Sequence, residues 1–158
     1  MKEKINLDER YFPNEELYGE QKGIAHYTPM FKAIESTFNL DGKVINDIGC
    51  REGWLLSLIK DHYPNTFING FDYFPWMQDN CAPNVKKQYY IWDMRDDLTE
   101  NFEGGLADLM ISTEVGEHID PDYADIYIQN MKHLLARNGC LIMSWCEIGG
   151  DKHGQHVN

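Results

Sequence analysis

The sequence has no long apolar run, few basic residues and no closely spaced cysteines. Nowhere in its 158 residues does an apolar stretch approach the roughly 20 residues that cross a bilayer. The first residues also lack the apolar centre of a signal peptide. We therefore expect a cytoplasmic protein without a membrane anchor. Its four cysteines are scattered, with no Cys-x-x-Cys pair, which predicts reduced thiols rather than disulfides.

Positive charge is scarce relative to negative charge. The chain has 14 lysines and arginines against 26 aspartates and glutamates, a formal net charge of −12. Lys86 and Lys87 form the only adjacent basic pair. An acidic surface repels phosphate backbones and anionic lipids, so neither nucleic acid nor a membrane is an expected partner. A small molecule, a sugar or a peptide is the expected class of substrate.

Apolar residues occur alternately in strand-like runs and at helix-like spacing. Each run is short and is bounded by glycine, proline or polar residues, as expected for buried strands. The predicted strands are residues 44–48, 66–71, 85–92, 106–112 and 140–145. Strands that alternate with helices predict an α/β fold, a Rossmann-like three-layer sandwich with a mostly parallel sheet.

Capping residues predict where two of the helices begin and end. Thr28 and Pro29 suit the N-cap and the first position of one helix. Another helix is expected after Pro121, with Asn138 and Gly139 as its stop signal. The polar segment before the first helix shows no clear period. We therefore expect residues 1–27 to form an N-terminal segment or lid and residues 28–158 to form the main domain.

A carboxylate follows four predicted strands in succession. Asp47, Asp72, Asp93 and Glu114 would lie at the carboxyl ends of parallel strands, the edge where such sheets bind ligands. Aspartate is also a common turn residue, so each acid alone has an ordinary structural explanation. All four together indicate a cationic ligand with ribose hydroxyls, because carboxylates attract positive charge and accept hydrogen bonds from hydroxyls.

The glycine loop after the first strand argues against a dinucleotide. A dinucleotide loop has the pattern G-x-G-x-x-G, whose middle glycine lets the backbone approach a pyrophosphate. Arg51 stands where that glycine would fall, and Asp47 precedes the loop and would repel phosphate. The loop suits a positively charged nucleoside without phosphates.

These motifs resemble those of the class I S-adenosylmethionine-dependent methyltransferases, over roughly residues 43–145. The resemblance implies S-adenosylmethionine as the cofactor and transfer of its methyl group to an acceptor. The C-terminal residues from Ser144 onward are similar to a small methyltransferase-like subgroup. The motifs are Asp47-Ile48-Gly49-Cys50-Arg51-Glu52-Gly53, then Asp72, Asp93 and the block Glu114-Val115-Gly116-Glu117-His118.

The resemblance assigns cofactor-binding roles at the first two strand ends. Asp47 and the loop residues Gly49, Cys50 and Gly53 would hold the methionine end of the cofactor. Asp72 would accept hydrogen bonds from both ribose hydroxyls. Arg51 departs from the family pattern, which usually has glycine there, so the resemblance does not determine the path of the loop.

Further roles follow at the third and fourth strand ends. Asp93 would meet the adenine amino group and the Met94 N–H would face a ring nitrogen. The aromatic cluster Tyr73, Phe74 and Trp76, which follows the second strand, could flank the adenine ring or could be ordinary packing. Glu114 would lie near the transferring methyl group, and Glu114 and His118 are the candidate general bases. The alternative for His118 is a structural residue at a helix start, and Glu114 could equally be structural.

Several alternatives stay open at the two ends of the chain. His153 and His156 have a spacing compatible with a metal pair, but no third ligand lies nearby, so we predict no metal site. Aromatic residues near the N-terminus could form a lid or only cover the sheet edge; they are Tyr11, Phe12, Tyr18, His26 and Tyr27.

The methyltransferase fold usually continues past the fifth strand with a helix and an antiparallel pair of strands. The sequence ends at Asn158, so we expect either a fragment of a longer protein or a reduced version that lacks the antiparallel strands. In the reduced version a partner chain, such as a second copy in a homo-oligomer, would cover the open sheet edge. The alternative function is a non-catalytic S-adenosylmethionine-binding or interaction module. Another transferase on the same scaffold, such as an aminopropyl transferase, would need further acidic residues for a polyamine.

Overall fold

A computed structural model describes residues 17–97, 102 and 104–144. Short 3-10 turns occur at Lys86–Gln88, Gly116–His118 and Pro121–Tyr123. In the described ranges, no helix is both long and apolar enough to pass through a bilayer. The helices are α1 (Gly19–Thr37), α2 (Trp54–His62), α3 (Pro75–Asp79) and α4 (Ala124–Leu134), and the strands are β1 (Val44–Ile48), β2 (Phe67–Asp72), β3 (Tyr89–Ile91), β4 (Ala107–Ser112) and β5 (Leu135–Met143).

The strands form one sheet in the order β3-β2-β1-β4-β5, and every pairing is parallel. The order reverses at β1, where Asp47 pairs with Gly70 of β2 on one side and with Ile111 of β4 on the other. A crevice opens at the carboxyl ends of strands wherever the order reverses, and ligands bind there. The predicted Rossmann-like α/β fold is confirmed, and the described residues contain no antiparallel strand.

Both faces of the sheet are buried, which makes the fold a three-layer sandwich. Successive residues of a strand point to opposite faces, so β4 places Leu109 and Ile111 on one face and Met110 on the other. Helices α1 and α2 cover the first face, with Phe31, Leu55 and Ile59 fully or nearly buried there; α4 covers the second with Tyr127, Met131 and Leu134.

Helix α1 begins earlier than the capping pattern predicts. It starts at Gly19, and Pro29 lies inside it rather than at its first turn. The Thr28 hydroxyl, expected to cap the helix, instead donates to the Ile24 carbonyl at 2.6 Å. Gly23 allows the Trp54 indole of α2 to approach so closely that an added Cβ would lie 2.2 Å from it. Contact with α2 therefore extends the helix past a residue that usually marks a boundary.

Strand β5 also begins earlier than predicted. Helix α4 ends at Leu134 and β5 starts at the next residue, so Asn138 and Gly139 lie within the strand instead of ending a helix. The pairing of β4 with β5 shifts register between Ala107 and Leu109. A Cβ added to Gly139 would lie 2.4 Å from the Ala107 carbonyl oxygen. Gly139 is therefore explained by close approach of two backbones, not by a helix cap.

Candidate functional site

A cavity of about 430 Å³ lies at the carboxyl ends of the strands. Its wall combines acidic residues from the strand ends with aromatic residues from α1 and from the segment after β2. Seven residues predicted from the sequence line it: Gly49, Asp72, Tyr73, Asp93, Met94, Glu114 and His118. The described structure thus brings acids from three strand ends to one concave surface.

The turn after β1 is tight and places backbone N–H groups toward β2. Gly49 has φ +74°, and the N–H groups of Gly49 and Cys50 donate to the Phe71 carbonyl at 2.8 and 3.0 Å. Arg51 also has positive φ, +50°, where glycine is the more common residue. Its N–H donates to Asp72 Oδ2 at 2.9 Å. The turn keeps its left-handed path at Arg51 although a side chain is present.

Asp72 is held in a fixed orientation by two backbone donors. Besides Arg51, the Phe74 N–H donates to the other carboxylate oxygen, Oδ1, at 3.1 Å. The side chain lines the cavity and is 8% exposed. A carboxylate oxygen can accept more than one hydrogen bond, so both oxygens keep capacity for the hydroxyls of a ligand.

Asp47 is buried at the floor of the β1 turn and does not itself line the cavity. Burial, followed by the negative charge of Asp72, raises the pKa of Asp47 to about 8. Burial and the Asp47 charge also raise the pKa of Tyr27, a cavity residue on α1. A cation bound close by would offset the repulsion between the two carboxyl groups and favour ionisation of Asp47.

Two other predicted cofactor residues lie outside the cavity wall. Cys50 is buried, and its Sγ would lie 2.8 Å from a Cβ added to Gly70. Burial raises the pKa of the Cys50 thiol well above its usual value, so the thiol is a core group rather than a nucleophile. Gly53 is the N-cap of α2 with φ +74°, and a Cβ added to it would lie 3.0 Å from Val85 Cγ1. Both residues shape the loop, and their side-chain positions face the core.

Asp93 has a partner, Arg95, that the sequence motifs did not predict. Arg95 donates from Nε to Oδ1 at 2.9 Å and from Nη2 to Oδ2 at 2.8 Å, so the pair is bidentate. The Arg95 guanidinium also lies 5.7 Å from the centroid of the Tyr73 ring and 5.9 Å from that of Tyr123. Arg95 lies two positions after Asp93 in the sequence, and this short spacing between an acid and a base could have indicated the ion pair. The negative charge at the third strand end is thereby largely neutralised.

Glu114 and His118 follow β4 at the cavity rim. Glu114 has φ +55°, a left-handed backbone that is uncommon outside glycine, asparagine and aspartate. Its side chain accepts a hydrogen bond from Ser144 Oγ at 2.5 Å. The His118 backbone N–H donates to the Val115 carbonyl at 2.9 Å, which closes the turn that carries the imidazole. Both predicted candidate bases therefore lie at the same opening.

An aromatic wall formed by α1 and by Tyr18, the residue before it, faces the strand ends. Tyr18, His26 and Tyr27 line the cavity, and the His26 ring centroid lies 4.9 Å from that of Tyr18 and 4.7 Å from that of Tyr27. The Arg51 guanidinium lies 4.5 Å from the Tyr18 ring centroid, and the Tyr18 N–H donates to the buried Glu52 carboxylate. Other residues weighed as a lid or a metal pair lie outside the described residues: Tyr11, Phe12, His153 and His156.

Comparisons with known proteins identify the family of this architecture. A family model described as a methyltransferase domain matches residues 24–153. The comparison with curated proteins found no match, whereas 445 chains of solved structures match. The PH0226 protein from Pyrococcus horikoshii OT3 is 17% identical with a TM-score of 0.66, over 89% of this chain and 66% of that one.

Two other similar structures are themselves methyltransferases solved with S-adenosylhomocysteine. The N-methyltransferase NodS from Bradyrhizobium japonicum WM9 is 19% identical, TM-score 0.59, over 75% of this chain and 59% of that one. Coclaurine N-methyltransferase, also bound to N-methylheliamine, is 14% identical, TM-score 0.61, over 84% of this chain. The chain spans only 38% of the length of that enzyme. Since the family model covers most of the sequence, the chain belongs to the methyltransferase domain family.

Proposed function

We propose that the chain binds S-adenosylmethionine and transfers its methyl group to a small molecule, a sugar or a peptide. The observation that carries this proposal is the Asp72 carboxylate, which two backbone N–H groups orient beside the Gly49 turn. A fixed carboxylate at the second strand end suits the two hydroxyls of a ribose. Membership of the methyltransferase domain family supports the same conclusion.

The residues present fit a cationic nucleoside better than a dinucleotide. Asp47 is buried beside Asp72, and its raised pKa reflects the unfavourable environment for a second negative charge. A ligand with ammonium and sulfonium groups would relieve that repulsion, whereas a pyrophosphate would increase it. We therefore assign Asp47 and the Gly49 turn to the methionine end of the cofactor.

The adenine end is assigned to the segments after β2 and β3. Tyr73, Phe74 and Met77, which follow β2, line the cavity, as do Trp92 and Met94, which follow β3. Aromatic rings and the thioether groups of methionine pack well against the faces of a purine ring. Asp93 already accepts hydrogen bonds from Arg95, so its carboxylate is held in place where it would meet an amino group.

Methyl transfer mainly requires the protein to align the acceptor with the methyl group of the cofactor. S-adenosylmethionine supplies a methyl group that positive sulfur already activates for displacement. The protein holds the acceptor in line with it and excludes water, effects that lower a barrier substantially. Glu114 and His118 lie at the rim and would accept a proton from a hydroxyl or ammonium acceptor. Tyr18, the residue before α1, would form the wall against the acceptor together with His26 and Tyr27 of α1.

Titration calorimetry with S-adenosylmethionine, S-adenosylhomocysteine and NAD tests the proposal. We expect both sulfur nucleosides to bind and NAD not to bind. Asp72→Ala should weaken binding by about 1–3 kcal/mol, the range for lost charge-assisted hydrogen bonds, or roughly 5- to 150-fold in Kd. Asp72→Asn keeps the side-chain size, so a loss of affinity in this variant reports the lost charge rather than a folding defect.

Asp125→Ala is the matched control, because Asp125 is exposed on α4 away from the cavity. Unchanged affinity in both Asp72 variants would show that the ribose binds elsewhere. Incubation with labelled S-adenosylmethionine and a panel of acceptors then separates an enzyme from a binding module. Transfer of label supports the enzyme, and tight binding without any transfer supports the module.

A further inference from the structure

Glu114 and Ser144 form a two-way contact that joins the ends of β4 and β5. The Ser144 hydroxyl donates to Glu114 Oε1 at 2.5 Å, and the Glu114 backbone N–H donates to the same Ser144 Oγ at 3.2 Å. The two residues are 30 positions apart in the chain. One hydroxyl thus fixes both the backbone and the side chain of Glu114.

The backbone at Glu114 is in a conformation that glutamate rarely adopts. Its φ of +55° lies in the left-handed region, which crowding of Cβ against the following carbonyl oxygen disfavours for an L residue. Such a conformation persists only where surrounding contacts hold it, and it often marks a functional position. The bond from the Glu114 N–H to Ser144 is one of those contacts. It directs the Glu114 carboxylate to the cavity rim, which Ser144 also lines.

Glu114 lies across the glycine turn from Asp72. Ile111 pairs with Asp47, so the residues that follow β4 and the turn that follows β1 leave the sheet side by side. Val115 confirms this proximity, because a Cβ added to Gly49 would lie 2.3 Å from Val115 Cγ2. Asp72 contacts the other side of the same turn through the Arg51 N–H. A ligand seated on the turn therefore lies between two carboxylates, Asp72 and Glu114.

We propose that Ser144 is a positioning residue that holds the Glu114 carboxylate beside the sulfonium centre of the cofactor. This inference rests on the function proposed above, since it needs S-adenosylmethionine in the cavity. A ribose on Asp72 and an amino-acid end at the glycine turn would leave the sulfur between them, on the Glu114 side. A carboxylate fixed there stabilises a cationic sulfur and does nothing comparable for a neutral thioether.

Serine suits this role because its hydroxyl accepts one hydrogen bond and donates another at the same time. Threonine retains both abilities, whereas alanine has neither. Without the hydroxyl, the Glu114 carboxylate would rotate into solvent, since its side chain is exposed at the rim. Loss of the Ser144 hydroxyl should therefore weaken the preference for the cationic nucleoside over the neutral one, and not only the affinity for both. This preference can be measured without knowing the methyl acceptor.

The test is calorimetry on the full chain with S-adenosylmethionine and S-adenosylhomocysteine. The readout is the discrimination ratio, the Kd for S-adenosylhomocysteine divided by the Kd for S-adenosylmethionine. We expect Ser144→Ala to lower this ratio about three- to tenfold, as expected for a partly screened charge near the sulfur. Glu114→Gln should lower it similarly, because the amide oxygen can still bind Ser144 but the charge is lost. Ser144→Thr should retain the wild-type ratio.

A merely structural effect changes both affinities together and leaves the ratio unchanged. Ser36→Ala is the matched control, since Ser36 is exposed on α1 and donates only to the Ala33 carbonyl in the described structure. A lowered ratio in Glu114→Gln with no change in Ser144→Ala would overturn the positioning role. An unchanged ratio in both variants would overturn the placement of Glu114 beside the sulfur. Absence of binding by either nucleoside to the wild type would instead overturn the proposed function itself.

Discussion

The Arg95 guanidinium binds both oxygens of the Asp93 carboxylate at 2.8–2.9 Å, and its side chain is only 3% exposed. Because the pair is largely removed from water, loss of one partner leaves a charge that solvent compensates poorly. Arg95→Met should therefore lower the free energy of unfolding by about 3 kcal/mol. Urea denaturation monitored by circular dichroism measures the loss.

The exposed pair Lys43–Asp108 is the control for the Arg95 experiment. Its atoms are 3.4 Å apart, and its side chains are 43% and 42% exposed. Lys43→Met should change stability by no more than about 1 kcal/mol, since solvent screens exposed pairs. Equal losses in the two variants would show that burial does not strengthen the Asp93–Arg95 contact.

A second prediction concerns the close approach of Gly49 to Val115. Gly49→Ala places a methyl group 2.3 Å from Val115 Cγ2 and forces an alanine to adopt φ +74°. We expect a loss of about 2–4 kcal/mol, the sum of a left-handed backbone and an overpacked contact. Gly42→Ala has similar φ, +68°, but nothing within 4 Å, so it should lose only about 1–2 kcal/mol.

A double-mutant cycle separates the clash from the backbone strain at Gly49. Val115→Ala removes the methyl group that an alanine at position 49 would meet. If the clash is real, the double variant should be more stable than the sum of the single changes predicts, by about 1–2 kcal/mol. Strict additivity would indicate that the turn moves aside and that only the backbone conformation matters.

The parts of the site that the sequence predicted lie directly at strand ends. Asp72, Asp93 and Glu114 each follow an apolar run whose period is clear, and parallel strands bring such ends to one edge. Apart from the Asp93–Arg95 pair, the contacts that escaped prediction join distant positions. Ser144 meets Glu114 across 30 residues, and Tyr18 meets Glu52 across 34. No local sequence pattern predicts a hydrogen bond between two residues that only the fold brings together.

The errors in the predicted helix and strand boundaries also arise from contacts between residues that are distant in the sequence. Local signals at Pro29 and Gly139 indicate a helix start and a helix stop, and both residues instead lie inside elements. At Pro29, contact between α1 and α2 outweighs the boundary preference of proline. At Gly139, the approach of the Ala107 carbonyl requires a residue without a side chain. Glycine has several structural uses, and its position alone does not distinguish them.

The two explanations of Gly139 predict different outcomes for Gly139→Ala. If Gly139 ended a helix, alanine would extend α4 and raise the helical signal in circular dichroism. If it admits the Ala107 carbonyl, the added Cβ at 2.4 Å would disturb the pairing of β4 with β5. We expect no gain of helix and a loss of about 2 kcal/mol or more in the free energy of unfolding. Asn138→Ala, at the exposed neighbouring residue, should change stability little.

The raised pKa of Asp47 predicts how stability depends on pH. Its pKa is about 8 in the folded chain, because of burial and then of the Asp72 charge, against an ordinary value of 3.8. Between these values the folded chain holds a proton that the unfolded chain has released. Stability from this group is therefore complete below about pH 4 and is lost as the pH rises through about 8. Asp47→Asn should abolish that loss.

Urea denaturation at pH 5 and pH 8 measures the Asp47 effect. The wild type should be less stable at pH 8 than at pH 5, and Asp47→Asn should reduce the difference and be more stable than the wild type at pH 8. Asp72→Asn should shrink the difference as well, because the Asp72 charge contributes to the raised pKa. Asp125→Asn, on the exposed face of α4, should leave it unchanged. If Asp47→Asn retained the full wild-type pH dependence, Asp47 would be ionised in the folded chain at neutral pH, and the site would hold two charged carboxylates before any cation binds.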